Sequence, residues 1–173
     1  RVCVISATPS PRPGVGDVLA RVRAAAVLGV QAFPVLVEAD LQAGLPSFST
    51  VGLPDEAVRE SRDRVRSAIM NSGLPFPAAR VTVNLAPADL RKEGSSFDLA
   101  IAIGLLVAQG LARAEASADL LLVAELSLDG GLKPVRGVLP VALAARAGGF
   151  RGLILPPENA AEAAVVEGNV EAR

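Results

Sequence analysis

The feature that most limits the fold is an apolar segment of helix length, Leu99–Ala108, in the middle of the chain. It contains no charged side chain, and Gly110 follows it as a helix-ending residue. Its ten residues are too few for a membrane span, which needs about 20. A helix that is apolar on every side has to be covered on every side. The segment therefore predicts a helix buried between other layers of a globular domain.

Shorter segments with other periodicities predict the layers that cover this helix. Apolar and acidic side chains alternate over 33–41, which is typical of a half-buried strand, and 47–52 is predicted to be a short strand paired with it. The segments 79–85, 118–126 and 151–156 are also strand-like. Helices are predicted over 54–72, 138–149 and 157–168, and a hairpin turn over 128–131. We predict an α+β fold, with a mixed sheet packed against helices over 18–173. Residues 1–17, rich in Pro, Gly and Ser, are predicted to be a flexible lead.

The side chains that are missing exclude several kinds of active site. The 173-residue chain has no histidine, so it cannot supply a Ser-His-Asp or Cys-His arrangement. Cys3 is the only cysteine, which excludes an internal disulfide and a thiolate zinc site. Without tryptophan or tyrosine the chain is poorly equipped to stack on single-stranded bases. The net charge of −1 provides no global attraction to nucleic acid or acidic lipid.

Several binding motifs are also missing. The sequence has neither a P-loop nor a G-x-G-x-x-G pattern. Asp89, Glu93 and Asp98 are close in sequence, but three scattered acids more often lie at a surface, and we predict no metal site. The N-terminus has no sustained apolar core of the kind found in secretory signals, so we expect a cytoplasmic protein without a membrane segment.

The helix predicted over 54–72 carries two different faces. An acidic first turn and Gly73 mark its ends. Arg59, Arg62 and Arg66 share one face at i, i+3 and i+7. Either this face is solvated, with Asp55–Arg59 and Glu60–Arg64 pairs worth a few tenths of a kcal/mol each, or it contacts phosphates. The inward stripe is predicted to contain Val58, Ser61, Val65, Ala68 and Ile69.

Three blocks identify a family resemblance: "VEADLQAGLPSFSTVGLPDEAVRESRDRVRSAI", "VNLAPADLRKEGSSFDLAIAIG" and "ELSLDGGLKPVRGVLPVALAARAGGF". They resemble the N-terminal domain of the Mg-chelatase-like AAA+ proteins of the ComM/YifB competence family. The resemblance implies that 18–173 has a Lon-protease-type fold, with ribosomal-protein-like βαβ layers. It also implies a separate AAA+ module, absent from this chain, that binds ATP and Mg²⁺ and drives DNA branch migration in natural transformation. The implied partners are further copies in a ring, and duplex or branched DNA.

Lon-type proteases use a Ser-Lys dyad, and the resemblance places this chain's residues on it. Ser96 falls at the nucleophile position, and Leu139 at the position of the lysine. Leucine cannot accept a proton, and Lys133 lies six residues too early. Phe97 also replaces a small residue. We therefore predict no catalytic residue, and expect Ser95 or Ser96 to cap a helix starting near Phe97, with Asp98 as a favourable charge in its first turn.

Three functions remain at this point. The first is a non-catalytic domain that assembles an AAA+ motor and guides DNA, with Arg59, Arg62 and Arg66 supported by Arg80 and Arg91. The second is an active or vestigial Ser-Lys peptidase, because the serine turn is retained. The third is a chelatase-type chaperone, for which the sequence shows no porphyrin or metal ligands. No cofactor is predicted for this chain itself.

Overall fold

A computed structural model describes residues 18–166 and 171–172 of the chain. The predicted lead over 1–17, including Cys3, lies outside the described residues. Within the described part, strands and helices form two hydrophobic cores on opposite faces of one mixed sheet. The predicted combination of a mixed sheet with packed helices is confirmed.

The main sheet has seven strands in the order β3-β4-β2-β1-β5-β8-β9. The β1–β2 and β2–β4 pairs are antiparallel, whereas β3–β4, β1–β5, β5–β8 and β8–β9 are parallel. A separate ribbon is formed by β6 and β7. The strands are β1 Val18–Leu28, β2 Gln31–Gln42, β3 Ser47–Val51, β4 Arg80–Ala86, β5 Leu120–Leu122, β6 Glu125–Leu126, β7 Leu132–Lys133, β8 Gly152–Ile154 and β9 Glu171–Ala172.

The helices occupy both sides of this sheet. They are α1 Glu56–Asn71, α2 Asp98–Ala108, α3 Val138–Ala147 and α4 Ala160–Ala163, with 3₁₀ turns at Ala114–Ala116 and Pro157–Asn159. As predicted, α2 is buried, lying on β1 and β2 next to α1. The inward stripe of α1 is also confirmed, residue for residue. The last helix is much shorter than the predicted 157–168.

Alternate residues of β1 and β5 face different cores. Ala24 and Leu122 belong to the core under α1 and α2, whereas Ala25 and Leu121 belong to the core under α3 and α4. Polar side chains occupy the second face of β2 and β4, where Asn84 donates to Glu38 at 3.0 Å. Hydrogen bonds from Asn84 and Arg21 lower the pKa of Glu38.

Three features of the sheet differ from the sequence prediction. Strand β1 was not predicted, because its run of small buried alanines does not show a clear period of two. The segment 118–126 divides into β5 and β6, since the chain leaves the main sheet between them. The short strand at 47–51 pairs with β4, which is far along the chain, and not with the strand that precedes it.

Gly52 allows the end of β3 to approach β4 closely. Its φ is +96°, and a Cβ there would lie 2.1 Å from the carbonyl oxygen of Leu85. We expect Gly52→Ala to destabilise the fold by roughly 1–3 kcal/mol more than Gly73→Ala does. Gly73 also has a positive φ, of +77°, but no atom lies within 4 Å of its Cβ position. Urea unfolding of both variants measures the difference, and equal costs would contradict the close approach.

Candidate functional site

The turn that carries the two serines is attached to the start of α1. Within this attachment, Lys92 N donates to Leu53 O at 3.1 Å, and Asp55 N donates to Lys92 O at 3.0 Å. The Asp55 carboxylate caps α1 by accepting from Val58 N at 2.8 Å, and it also accepts from Gly94 N at 3.0 Å. The Asp55 carboxylate therefore accepts hydrogen bonds from two backbone N–H groups. The predicted Asp55–Arg59 ion pair is not found among the described residues.

Asp98, at the start of α2, forms a buried ion pair with Arg64 of α1. Its side chain is 0% exposed, and its two oxygens accept from Arg64 Nε at 2.6 Å and Arg64 Nη2 at 3.0 Å. Leu126 N donates to the same carboxylate at 3.2 Å, and Arg64 Nη2 also donates to Ala57 O at 2.9 Å. Burial raises the pKa of the Asp98 carboxyl against the opposing effect of Arg64, while the hydrogen bonds to Asp98 raise the pKa of Arg64.

The predicted serine cap of this helix is wrong. The residue at the N-cap of α2 is Phe97, and no side chain caps the helix. Backbone acceptors take the first donors instead: Asp98 N donates to Ser95 O at 3.2 Å and Leu99 N to Ala124 O at 3.3 Å. The Ser95 hydroxyl donates to a carboxylate oxygen of Glu125 in β6. Asp98 lies in the first turn as predicted, but its main partner is Arg64.

The residues assigned to the Ser-Lys pattern have other partners. Ser96 is half-buried, and within the described residues no base is hydrogen-bonded to its hydroxyl. Leu139 lies in the first turn of α3, where its N–H donates to Glu162 Oε1 at 2.9 Å. Lys133 is exposed on β7, directly opposite Glu125 in the ribbon. Glu125 therefore accepts from Ser95 of the turn and lies across the ribbon from Lys133, with which it forms no ion pair among the described residues.

The sequence assigned no role to the second lysine of the chain, Lys92. Lys92 is 0% exposed, and its ammonium donates to the Pro87 carbonyl. Burial lowers the pKa of this ammonium. Arg64 and Glu125 were also missed as partners of the turn. The only signal for Arg64 was an aspartate directly before an apolar helix, because such a carboxylate needs a buried cation.

The arginine face of α1 is exposed, as predicted. Arg59, Arg62 and Arg66 line two grooves of about 470 and 460 Å³ between α1 and β3. The Arg66 guanidinium lies 5.5 Å from the centre of the Phe76 ring, and Arg62 Nε lies 3.1 Å from Asp63 Oδ1. Three acids of the same helix also line the grooves: Glu56, Glu60 and Asp63.

The other predicted ion pairs and arginines are at the surface. Glu60 and Arg64 form the predicted i,i+4 contact, at 3.7 Å. Arg80 is exposed at the start of β4, and Arg91 lies 3.3 Å from Glu93. These contacts are solvated, so each contributes less than about 1 kcal/mol.

The sequence has no P-loop, and within 18–166 and 171–172 no three acidic, histidine or cysteine side chains are grouped to hold a metal. None of the helices in this part of the chain is long and apolar enough to cross a membrane.

Comparison with known proteins gives matches over most of the chain. A family model described as subunit ChlI of Mg-chelatase matches residues 37–159. Competence protein ComM of Haemophilus influenzae is 51% identical over 148 residues, which are 86% of this chain and 29% of ComM. The uncharacterized protein YifB of Escherichia coli is 46% identical over 150 residues, which are 87% of this chain and 29% of YifB. An uncharacterized protein of Mycobacterium tuberculosis is 47% identical over 150 residues, which are 87% of this chain and 30% of that protein. The chain spans about three tenths of these relatives.

We expect Asp98→Ala to cost about 3–5 kcal/mol, because it leaves the Arg64 guanidinium and Leu126 N–H without their acceptor. Asp63→Ala is the matched control: it breaks the exposed contact with Arg62 and is expected to cost less than about 1 kcal/mol. Denaturant unfolding measures both values. Similar costs for the two variants would show that the buried pair contributes no more than a surface pair.

Proposed function

Because the chain belongs to the Mg-chelatase-like family that includes ComM and YifB, we propose that it is a non-catalytic, Lon-protease-type domain of an AAA+ protein. In this proposal an AAA+ module binds ATP and Mg²⁺ and moves DNA during branch migration. The domain described here assembles the subunits in the cytoplasm and guides the DNA.

The first turn of α2 supports the absence of peptidase chemistry. A serine nucleophile needs a base on its hydroxyl and free N–H donors for the oxyanion. Ser96 has no hydrogen-bonded base within the described residues, and the N–H groups of Asp98 and Leu99 already have backbone acceptors. Leu139, at the lysine position, supplies no proton acceptor. A base is therefore missing at Ser96 and two of the donors near it are occupied, which supports a turn without peptidase chemistry.

The arginine face of α1 supports DNA guidance. Arg59, Arg62 and Arg66 are exposed on one helix that borders the edge of the sheet. Each arginine that neutralises a phosphate releases counterions, and several subunits would multiply this term. The three acids on the same helix reduce the attraction of a single copy. Assembly is therefore required for useful affinity, which agrees with the near-neutral charge of the chain.

One observation favours a second candidate, a vestigial peptidase. The Ser95 hydroxyl donates to Glu125, and Lys133 lies opposite Glu125 in the β6–β7 ribbon. A carboxylate hydrogen-bonded to a serine hydroxyl, with a lysine on the neighbouring strand, supplies the residue types of an activated nucleophile. In this version the nucleophile is Ser95 and not Ser96.

A serine-reactive fluorophosphonate probe distinguishes these two functions. We expect no labelling of the chain and no casein hydrolysis, because Ser96 has no hydrogen-bonded base within residues 18–166 and the N–H groups of Asp98 and Leu99 already have backbone acceptors. Ser95→Ala and Ser96→Ala serve as matched controls, together with an authentic serine protease as a positive control. Labelling that disappears in Ser95→Ala and in Lys133→Ala would establish the vestigial peptidase instead.

Salt-dependent duplex binding tests DNA guidance. With the chain joined to an AAA+ module and its assembly confirmed by light scattering, we expect Arg59→Glu/Arg62→Glu/Arg66→Glu to weaken binding. The slope of log K against log salt should become shallower by about 0.9 for each phosphate that is no longer neutralised. The control, Arg113→Glu/Arg136→Glu/Arg151→Glu, makes the same charge change at exposed arginines away from the grooves. Equal affinity and equal slope in both variants would remove α1 from the DNA path.

A further inference from the structure

The charges on the exposed face of α1 are complementary to themselves. The pattern is centred on Ser61. For each exposed charged residue that precedes Ser61 in the helix, the residue at the same sequence distance after Ser61 is exposed and has the opposite charge. Two copies of α1 that lie antiparallel and are centred on Ser61 therefore place opposite charges at the same height. The three pairs of positions are Glu56 with Arg66, Arg59 with Asp63, and Glu60 with Arg62.

Among the described residues, the side chains of this pattern are either unpaired or held by exposed contacts, which include Glu60 with Arg64 at 3.7 Å and Arg66 over the Phe76 ring. Ser61 at the centre is buried, whereas all six charged residues are exposed. Within residues 18–166, neither Glu56 nor Arg59 has an ion-pair partner in its own chain. The Arg62–Asp63 contact joins side chains that are 53% and 74% exposed, so it is easily exchanged.

The edge of the sheet next to α1 is also unprotected. β3 is the outermost strand beside β4, so its outer backbone N–H and C=O groups have no strand partner among the described residues. Natural edge strands are commonly protected by charged residues or proline, and β3, with the sequence SFSTV, has neither. Its midpoint, Ser49, is exposed.

The centres of the two features lie side by side. One groove is lined by Ser49, the midpoint of β3, together with Arg59 and Arg62, which bracket the centre of the α1 pattern. A two-fold axis near Ser49 would therefore relate both β3 to β3 and α1 to α1. In a two-fold contact the same patch has to complement itself. A strand edge meets this condition through antiparallel pairing, and α1 meets it through its charges.

We propose that two copies of this chain pair about one two-fold axis, with β3 extending the sheet across the dimer and the two α1 helices antiparallel. The pairing goes beyond the proposed function, because it requires neither an AAA+ module nor DNA. Exposed ion pairs and one short strand contact give a weak dimer that salt weakens further. The same arginines then bind a second copy and are not free for phosphate.

Charge exchange between two variants tests the pairing. In Arg59→Glu, positions 59 and 63 are both acidic, and in Asp63→Arg both are basic, so each variant on its own brings like charges together across the axis. We expect the parent chain to dimerise with increasing concentration in sedimentation velocity, and each variant to remain monomeric. An equimolar mixture of the two should form heterodimers, because 59 and 63 then have opposite partners. Arg113→Glu and Glu115→Arg, mixed or separate, should behave as the parent does.

The strand contact is tested separately with Ser49→Lys, which places two lysines at the axis and should reduce dimerisation. Circular dichroism confirms that each variant is folded. Any of three results would overturn the proposal. The parent chain stays monomeric up to about 1 mM, the equimolar mixture stays monomeric, or Ser49→Lys dimerises as the parent does. Duplex binding by Asp63→Arg separates this proposal from DNA guidance. The added positive charge should strengthen phosphate binding, and the like charges across the axis should prevent dimerisation. A monomeric Asp63→Arg that binds duplex no better than the parent would contradict DNA guidance alone. An Asp63→Arg that binds duplex better but still dimerises would contradict the pairing alone.

Discussion

The buried ion pair between Asp98 and Arg64 is the interaction on which the arrangement of the site depends. It joins the first turn of α2 to the middle of α1, and through Leu126 N it also holds β6. An apolar helix such as α2 is free to rotate within a core of similar side chains, since apolar contacts are not directional. One carboxylate with three hydrogen bonds removes that freedom, because an unpaired buried charge is costly.

This interaction also decides what the serine turn does. With Asp98 turned inward, the first donors of α2 are occupied by backbone carbonyls, and Ser95 is directed to Glu125. The turn is therefore a junction between α1, α2 and the β6–β7 ribbon.

The outer face of α1 is the surface to which both proposals assign a partner. Its arginines suit phosphates, but its acids weaken that attraction and complete a pattern that suits a second copy. Both partners depend on the same side chains and on salt. Self-pairing would keep the arginines covered until DNA or a neighbouring module displaced the second copy.

The sequence by itself determined the elements whose signal is local. The apolar run predicted a buried α2, the period of 3.6 predicted the inner stripe of α1, and the helix predicted over 138–149 is α3. The tertiary structure alone decided the partners. Asp98 and Arg64 are separated by 34 residues, Ser95 and Glu125 by 30, and β3 pairs with β4 across α1. The periodicity of a segment indicates which side of a helix or strand is buried. The partner of a hydrogen-bonding side chain depends on which distant segment packs against it, and this is settled only in the folded structure.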